Sequence, residues 1–437
     1  MNSNVDRRHF LRLAAAGSTA AIVGACASGG SSTSPATDEP SSTSAGAATD
    51  GGTSAPTNSQ APAASKASKS GERRLVVIEM SGGNDGMSTL VPYGMPGYRD
   101  LRKRTAIDTK DIIRINDEVG LHKNLARLHK QGLAVLMGVG TPKPDGSHFE
   151  MMDRWWKGNP AGGNTVTTGF LGRLADAIGD PGARAVAVSI GSGSHPSMVS
   201  RSAPTMSIPR ADIGDLLAAA RPDDKMLTAF QTTLREFGVG NDPGLMTVAR
   251  KGTADAMRFA QTLGGLDDAD NSKYPGSTLG EGLRLAARLL DADNGVRIIH
   301  VPFGGDFDTH DDHIGRHADL MSQLDEALDE FLKDLKRRDL DGSVLVATTS
   351  EFGRTAKDNG SAGLDHGAAS VALLAGPVKA GVHGEHGALT NLDDRDNLRA
   401  TVGFESYYAT IAEGWFGVPA TDVLPTGAAV VGGVLKA

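Results

Sequence analysis

A single cysteine, Cys26, stands in 437 residues, which excludes an intrachain disulfide framework. Aromatic residues are scarce, at 5% against 39% hydrophobic residues overall, as in a globular core diluted by a long polar, glycine-rich extra. Basic charge is in deficit. Lys and Arg number 44 against 52 Asp and Glu, leaving a net charge of -8. No general attraction to nucleic acid is therefore expected, and an anionic substrate is repelled unless a bound cation reverses the local field. The apolar stretch from Leu13 to Ala25 is short of the ~20 residues that a membrane-spanning helix needs.

That stretch carries other signals. It follows a twin arginine (Arg7, Arg8) with Phe10 and Leu11 behind it, the pattern of a twin-arginine export signal. It ends in Val23-Gly24-Ala25-Cys26, similar to the lipobox cleaved before a lipidated cysteine. The reading is a signal peptide over 1–25, export by the twin-arginine machinery, and a periplasmic or extracytoplasmic lipoprotein held to the membrane by its acyl chains. Residues 26–72 are rich in Ser, Thr, Ala, Gly and Pro without apolar periodicity, and are expected to form a disordered tether.

At Arg73 the composition changes. Six short apolar, β-branched runs follow: Arg73–Met80, Leu133–Gly140, Arg184–Gly191, Val296–Pro302, Ser343–Ser350 and Ser370–Gly376. Near-continuous apolar strands separated by helical patterns predict an α/β fold, a mostly parallel sheet with helices on both faces, over 73–437. Ile314, Met321, Leu324, Leu328, Phe331 and Leu335 recur at helical spacing, so Val296 to Thr349 reads as a βαβ unit. The stretch 192–293, with helical patterns at Met246–Leu263 and Leu279–Leu290, reads as an insertion or cap.

Ligands of open parallel sheets bind beyond the carboxyl ends of the strands, and the polar clusters fall there. "SGGNDGMSTLVPY" (Ser81, Asn84, Asp85) follows the first run, and "TPKPDGSHFEMMDRWW" (Ser147, His148) follows the second. "GGDFDTHDDHIGRH" follows the fourth, and "SEFGRTAKDNGSAGLDHGAAS" (Glu351, Arg354, Asp365, His366) the fifth. Several members have structural explanations. Asp85 suits turn chemistry, Ser147 suits a helix cap, and Trp155 and Trp156 suit the core. Asp311 and Asp312 suit a first helical turn, with His313 and His317 on its solvent face. Asp308, His310, Asp365 and His366 are less easily absorbed. Asp-x-His and Asp-His in glycine-flanked loops supply the oxygen and imidazole ligands of zinc, manganese or iron.

Taken together and in order, "SGGNDGMSTLVPY", "SHFEMMDRWW", "DFDTH" and "SEFGRTAKDNGSAGLDHG" resemble the exported bacterial family known as domain of unknown function 1501, over essentially everything after Arg73. That family is grouped with the alkaline-phosphatase-like superfamily of phosphatases and sulfatases. The resemblance implies an alkaline-phosphatase-like fold and a two-metal site holding divalent cations, zinc first, with manganese, calcium or iron as alternatives. It assigns Asp85 to a metal bridge, Asp308 and His310 to one metal, and Asp365 and His366 to the other. His383 or His386 completes the first site. Ser147 takes the place of the nucleophile, with His148 as the competing functional member of "SHF". Arg354 grips substrate oxygens, and Glu351 holds a metal or acts as a base. Asp306, four residues before His310, rivals Asp308. The implied function is an exported, metal-dependent hydrolase of phosphate or sulfate esters. The alternative is a non-catalytic envelope-anchored protein with a degenerate site, binding a glycan or a partner.

Overall fold

The computed structural model describes residues 72–179, 183–191, 193–208, 272–292 and 294–436, with a few positions between 232 and 254. The export signal, Cys26 and the tether lie outside these residues, as does most of the helix expected at Met246–Leu263.

All six apolar runs form strands of one nine-stranded sheet. Its members are β1 (Arg74–Glu79), β5 (Ala134–Gly140), β6 (Ala187–Ile190), β7 (Thr205–Ile208), β8 (Ile298–Pro302), β9 (Val344–Thr349), β10 (Ser370–Ala375), β11 (Gly381–His383) and β12 (Val402–Gly403). Strands β2 (Leu90–Val91), β3 (Ile112–Arg114) and β4 (Gly120–His122) make a small separate sheet. The order in the main sheet is β11-β5-β10-β9-β1-β8-β6-β7, with β12 beside β5.

Both faces are covered, which is why the strands read as continuous apolar runs. On β1, Val76 and Ile78 enter the core shared with α4 (Thr278–Asp291) and α5 (His313–Arg337). Leu75 and Val77 enter the opposite core, with Trp155 of α2 (His148–Lys157) and with Phe170 and Leu174 of α3 (Phe170–Ile178). A short helix, α1 (Gly86–Thr89), follows β1.

The sheet is mostly parallel, as expected; the exception is β10, which runs antiparallel to both β9 and β5. The link from β9 to β10 is an irregular loop that stays at one sheet edge, so no crossover helix returns the chain to the other end. The unit β8–α5–β9 is a parallel crossover that straddles β1, which pairs with both strands. Parts of the expected cap at 192–293 belong to the central layers: β7 extends the sheet beside β6, and α4 packs in the core.

The start of α5 also differs from expectation. Asp311 and Asp312 precede the helix, and Asp312 enters it with a left-handed φ of 39°. His313 and His317, expected in solvent, are 0% and 1% exposed, whereas Ile314 is 39% exposed. The two histidines continue the buried stripe of Met321, Leu324, Leu328, Phe331 and Leu335 by one turn, and Ile314 falls off it.

Candidate metal centre

The carboxyl ends of β1, β5, β8 and β9 and the amino end of β10 lie on the same sheet edge. Loops from four of them converge. After β5, Ser147 caps α2, its Oγ accepting from the Glu150 amide at 3.5 Å, and His148 becomes the first helical residue. After β8, the Asp308 amide donates to Asp306 Oδ1 at 2.9 Å, and Thr309 Oγ1 lies 2.8 Å from His313 Nδ1, which fixes the turn carrying His310. The loop before β10 bonds back to the strand β9 exit through Thr355 N to Asp365 O and Gly367 N to Gly353 O.

Two glycines permit this crowding. A Cβ on Gly363 would lie 2.0 Å from the His310 carbonyl carbon, and one on Gly82 would lie 2.5 Å from the Asp308 amide. Gly82 also has φ +108°, a conformation that side-chain-bearing residues rarely adopt.

The result is a ring of donor atoms. His366 Nε2 lies 3.0 Å from His148 Nε2 and 3.0 Å from His310 Nε2. Asp308 Oδ1 is 3.1 Å from His310 Nε2 and 3.3 Å from His366 Nε2, and its Oδ2 is 3.5 Å from His148 Nε2. The outer nitrogen of each imidazole faces an acceptor: Glu351 Oε1 at 2.8 Å for His148, Asp365 Oδ1 at 3.1 Å for His310, and the Gly146 carbonyl at 2.7 Å for His366. Those acceptors require N–H on Nδ1, and neutral rings then present bare Nε2 lone pairs to one another and to a carboxylate. Donor atoms facing at 3.0–3.5 Å in this way can hold a cation among them. A tetrahedral ion with ligands at about 2.0–2.2 Å separates neighbouring donors by roughly 3.3–3.6 Å; His148, Asp308 and His366 can hold such an ion, with His310 Nε2 beside His366 and Asp308. Glu351 and Asp365 then act as the outer carboxylates that orient ligating histidines.

The electrostatics favour a charged Asp308 and a protonated His148. Burial pushes the Asp308 carboxyl up, but the Arg354 hydrogen bond and charge outweigh it and hold Asp308 below the usual range. The Glu351 hydrogen bond raises His148.

The other expected residues fall elsewhere. Arg354 is 1% exposed and its donors are spent on Asp308 Oδ1 (2.6 Å) and on the carbonyls of Gly82, Gly83, Leu364 and Phe307. It holds the ring together and does not reach out to grip a substrate. Asp85 is buried, N-caps α1, and makes a bidentate ion pair with Arg102 at 2.8 and 2.9 Å, with His313 Nε2 at 3.3 Å. Burial raises its carboxyl, yet Arg102 and His313 more than compensate and hold it well below the usual range. With both oxygens engaged, it does not join the ring. Asp306 is turned to the Asp308 amide and to Arg316 (3.2 Å). His383, on the outer strand β11, hydrogen-bonds the Lys379 carbonyl at 2.6 Å, and His386 bonds the Gly387 carbonyl at 2.7 Å. Trp155 is core, as expected, whereas Trp156 is half-buried and donates to Glu79 Oε2 at 2.9 Å.

That last contact marks a second cluster which sequence reasoning missed. Glu79 ends β1, His300 lies inside β8, and His195 precedes a short turn at Pro196–Met198. The signal was present: a histidine in the otherwise apolar run "VRIIHVP" needs a polar partner in a buried strand.

Among solved structures, the chain is similar to the C-terminal periplasmic domain of EptC from Escherichia coli, at 13% identity over 84% of this chain and 88% of that one, with a TM-score of 0.39. It is similar to the lipoteichoic acid synthase LtaP from Listeria monocytogenes at 8% identity over 84% and 77%, TM-score 0.36. It is also similar to alkaline phosphatase from the Antarctic bacterium TAB5 at 12% identity over 71% and 94%, TM-score 0.31. Scores this low carry no residue role or chemistry across. No curated protein sequence matches the chain. A family model matches residues 72–400, three-quarters of the chain, and by that match the protein belongs to the family described as "Protein of unknown function (DUF1501)".

Proposed function

We propose that this chain is an exported, lipid-anchored, metal-dependent hydrolase of phosphate or sulfate esters, with its reaction centre at the ring of His148, His310, His366 and Asp308. One observation carries the reading: three imidazoles whose outer nitrogens face Glu351, Asp365 and the Gly146 carbonyl turn their Nε2 atoms onto one another and onto Asp308. When bound, a divalent ion such as zinc supplies Lewis-acid polarisation of an ester oxygen. The protein's part is to place and charge the site. Three neutral imidazoles and one carboxylate contribute a single negative charge, so a divalent ion leaves its immediate ligands net positive, and with Glu351, Asp365 and Arg354 the wider centre is neutral, far less repulsive to an anionic ester than the chain's charge of -8 implies. The donors lie at the surface, with side-chain exposures of 23% for His366 to 45% for His310, so a substrate can approach them. Arg354 fixes Asp308, and Glu351 and Asp365 fix the rings. Ser147 serves as the α2 cap, and a covalent route through its hydroxyl forms no part of this reading.

The envelope location rests on the twin-arginine signal and on Cys26; among the described residues no helix is long and apolar enough to cross a membrane. A second reading, an anchored binding protein with a structural ion, is favoured by the donor count, because four protein ligands complete a tetrahedral shell. Metal analysis followed by a panel of aryl phosphate and sulfate esters separates the two. The hydrolase reading expects at least one transition-metal ion per chain and turnover of one ester class, abolished in Asp308→Asn. Bound metal without turnover of any ester favours the binding protein.

A further inference from the structure

We infer that Glu79, His195 and His300 form a second divalent-cation site, distinct from the ring and built from residues outside every motif singled out above. His300 Nε2 and His195 Nε2 lie 3.1 and 3.3 Å from the same carboxylate oxygen, Glu79 Oε2. Those separations match the donor spacing of roughly 3.3–3.6 Å that a zinc-like ion imposes. The two imidazoles stack, with centroids 3.9 Å apart and planes 25° from parallel, so both point one edge at one place. A single divalent ion among these three atoms would neutralise the carboxylate.

The surroundings have the organisation of an outer shell. A serine hydroxyl faces the far nitrogen of each ring: Ser189 Oγ is 3.1 Å from His300 Nδ1, and Ser197 Oγ is 2.7 Å from His195 Nδ1. Glu79 is oriented by the Trp156 indole N–H at 2.9 Å and the Ser81 hydroxyl at 3.1 Å. Such partners direct ligating groups, and because the Ser197 amide also donates to His195 Nδ1 at 3.4 Å, an ion at His195 Nε2 displaces the proton that this tautomer carries there. His300 is 2% exposed and sits inside β8, so its position is fixed by the sheet before any ion arrives.

This cluster offers three donors where the ring offers four. Glu79 and His300 also line a small cavity with Trp156, Ser197 and Glu351, the last of which holds His148. Three protein ligands with one open position is the arrangement of zinc sites that bind an exogenous ligand. The inference concerns metal binding and stands whether or not the ring hydrolyses esters.

The test is a count of ions, independent of activity. Purified full-length protein is stripped of metal and titrated with Co²⁺, read by visible absorption, then with Zn²⁺, read by elemental analysis after dialysis. The wild type is expected to bind two ions per chain. His195→Asn, a substitution in a partly exposed loop, and Glu79→Gln should each remove one ion and leave the other. Asp308→Asn should remove the other, and the double variant should bind none. If the ring is no metal site but the inference holds, the wild type binds one ion, lost in His195→Asn and kept in Asp308→Asn. Undiminished stoichiometry and an unchanged cobalt spectrum in both His195→Asn and Glu79→Gln would overturn the inference, as would a wild type that binds no ion. Should those variants melt below working temperature, anomalous scattering from cobalt-loaded wild-type crystals decides. A peak between Glu79 and the two histidines supports the site, and its absence sinks it.

Discussion

Within "DTHDDHIGRH" three histidines part company. His310 joins an open ring with His148, His366 and Asp308, whereas His313 and His317 turn into a buried network with Asp85, Arg102 and Asn84. In the buried network, Asp85 meets a guanidinium at two oxygens, His313 meets the hydroxyls of Ser88 (2.9 Å) and Thr309 (2.8 Å), and His317 Nε2 meets Asn84 Oδ1 (3.2 Å). Apart from His317 Nδ1, which has no hydrogen-bond partner, these groups complete one another. In the ring the outer nitrogens are satisfied and the inner ones are not. Density of acidic and imidazole groups therefore does not separate the two regions; unsatisfied convergence of donor atoms does.

The largest effect that separates the two regions belongs to the ring. Asp308→Asn is expected to weaken metal binding by more than about 100-fold, since even outer-shell partners are worth about 10–100-fold. Titration calorimetry on the folded variant should show it, alongside a loss of thermal stability because Arg354 loses its carboxylate partner. Asp85→Asn, on the network side, should leave affinity alone, and a loss there equal to that of Asp308→Asn would erase the distinction.

The converse comparison is a stability measurement. Arg102→Met leaves the Asp85 carboxylate buried and unpaired, and is expected to cost about 3–5 kcal/mol in denaturant unfolding, with the metal count retained in whatever remains folded. Outer partners of the ring come next. Glu351→Gln and Asp365→Asn should weaken metal binding by about 10–100-fold, the effect of Asp365→Asn being smaller because its side chain is 62% exposed.

Acid should act on the buried network. Burial lowers His122 to about 4 and lowers His313 and His317 too, each below the ordinary value of 6.5. The unfolded chain then binds more protons than the folded one as pH falls below 6.5. Stability is full above that pH, declines toward pH 4, and each such group steepens the decline by up to about 1.4 kcal/mol per pH unit. A pH series of unfolding curves on metal-free protein should show this, and replacing His122 with Gln should flatten it. The smallest effect is expected for Ser147→Ala, a cap loss of about 0.5–2 kcal/mol with ester turnover unchanged. Abolished turnover with an intact melting curve would return Ser147 to the chemistry.

Much of this was legible in the sequence, for physical reasons. Strands buried on both faces must be apolar throughout, so "LVVIE" and "VLVATT" declared themselves, and with them the edge where polar loops meet. Asp308, His310 and His366 could be read as ligands because glycine-flanked loops at strand ends give such groups little else to do. The roles of Asp85 and Arg354 were not legible, since a buried carboxylate and a buried guanidinium take their meaning from partners hundreds of residues away or, for Arg102, from an unremarked arginine in a surface-like run. His313 and His317 were misplaced because Ile314 drew the helical stripe one residue aside, although spacing from Met321 and Leu324 put both histidines on the inner face. The Glu79 cluster escaped because its three members come from a strand end, a strand interior and a loop, with no shared spacing.

The central claim is that the ring holds a metal ion. Anomalous diffraction at the zinc edge, from crystals of the full-length protein grown with zinc, tests it most directly. The account predicts a peak about 2.0–2.2 Å from the Nε2 atoms of His148, His310 and His366 and from an oxygen of Asp308. No peak at these four residues, with the imidazoles paired to one another through protons, would contradict it.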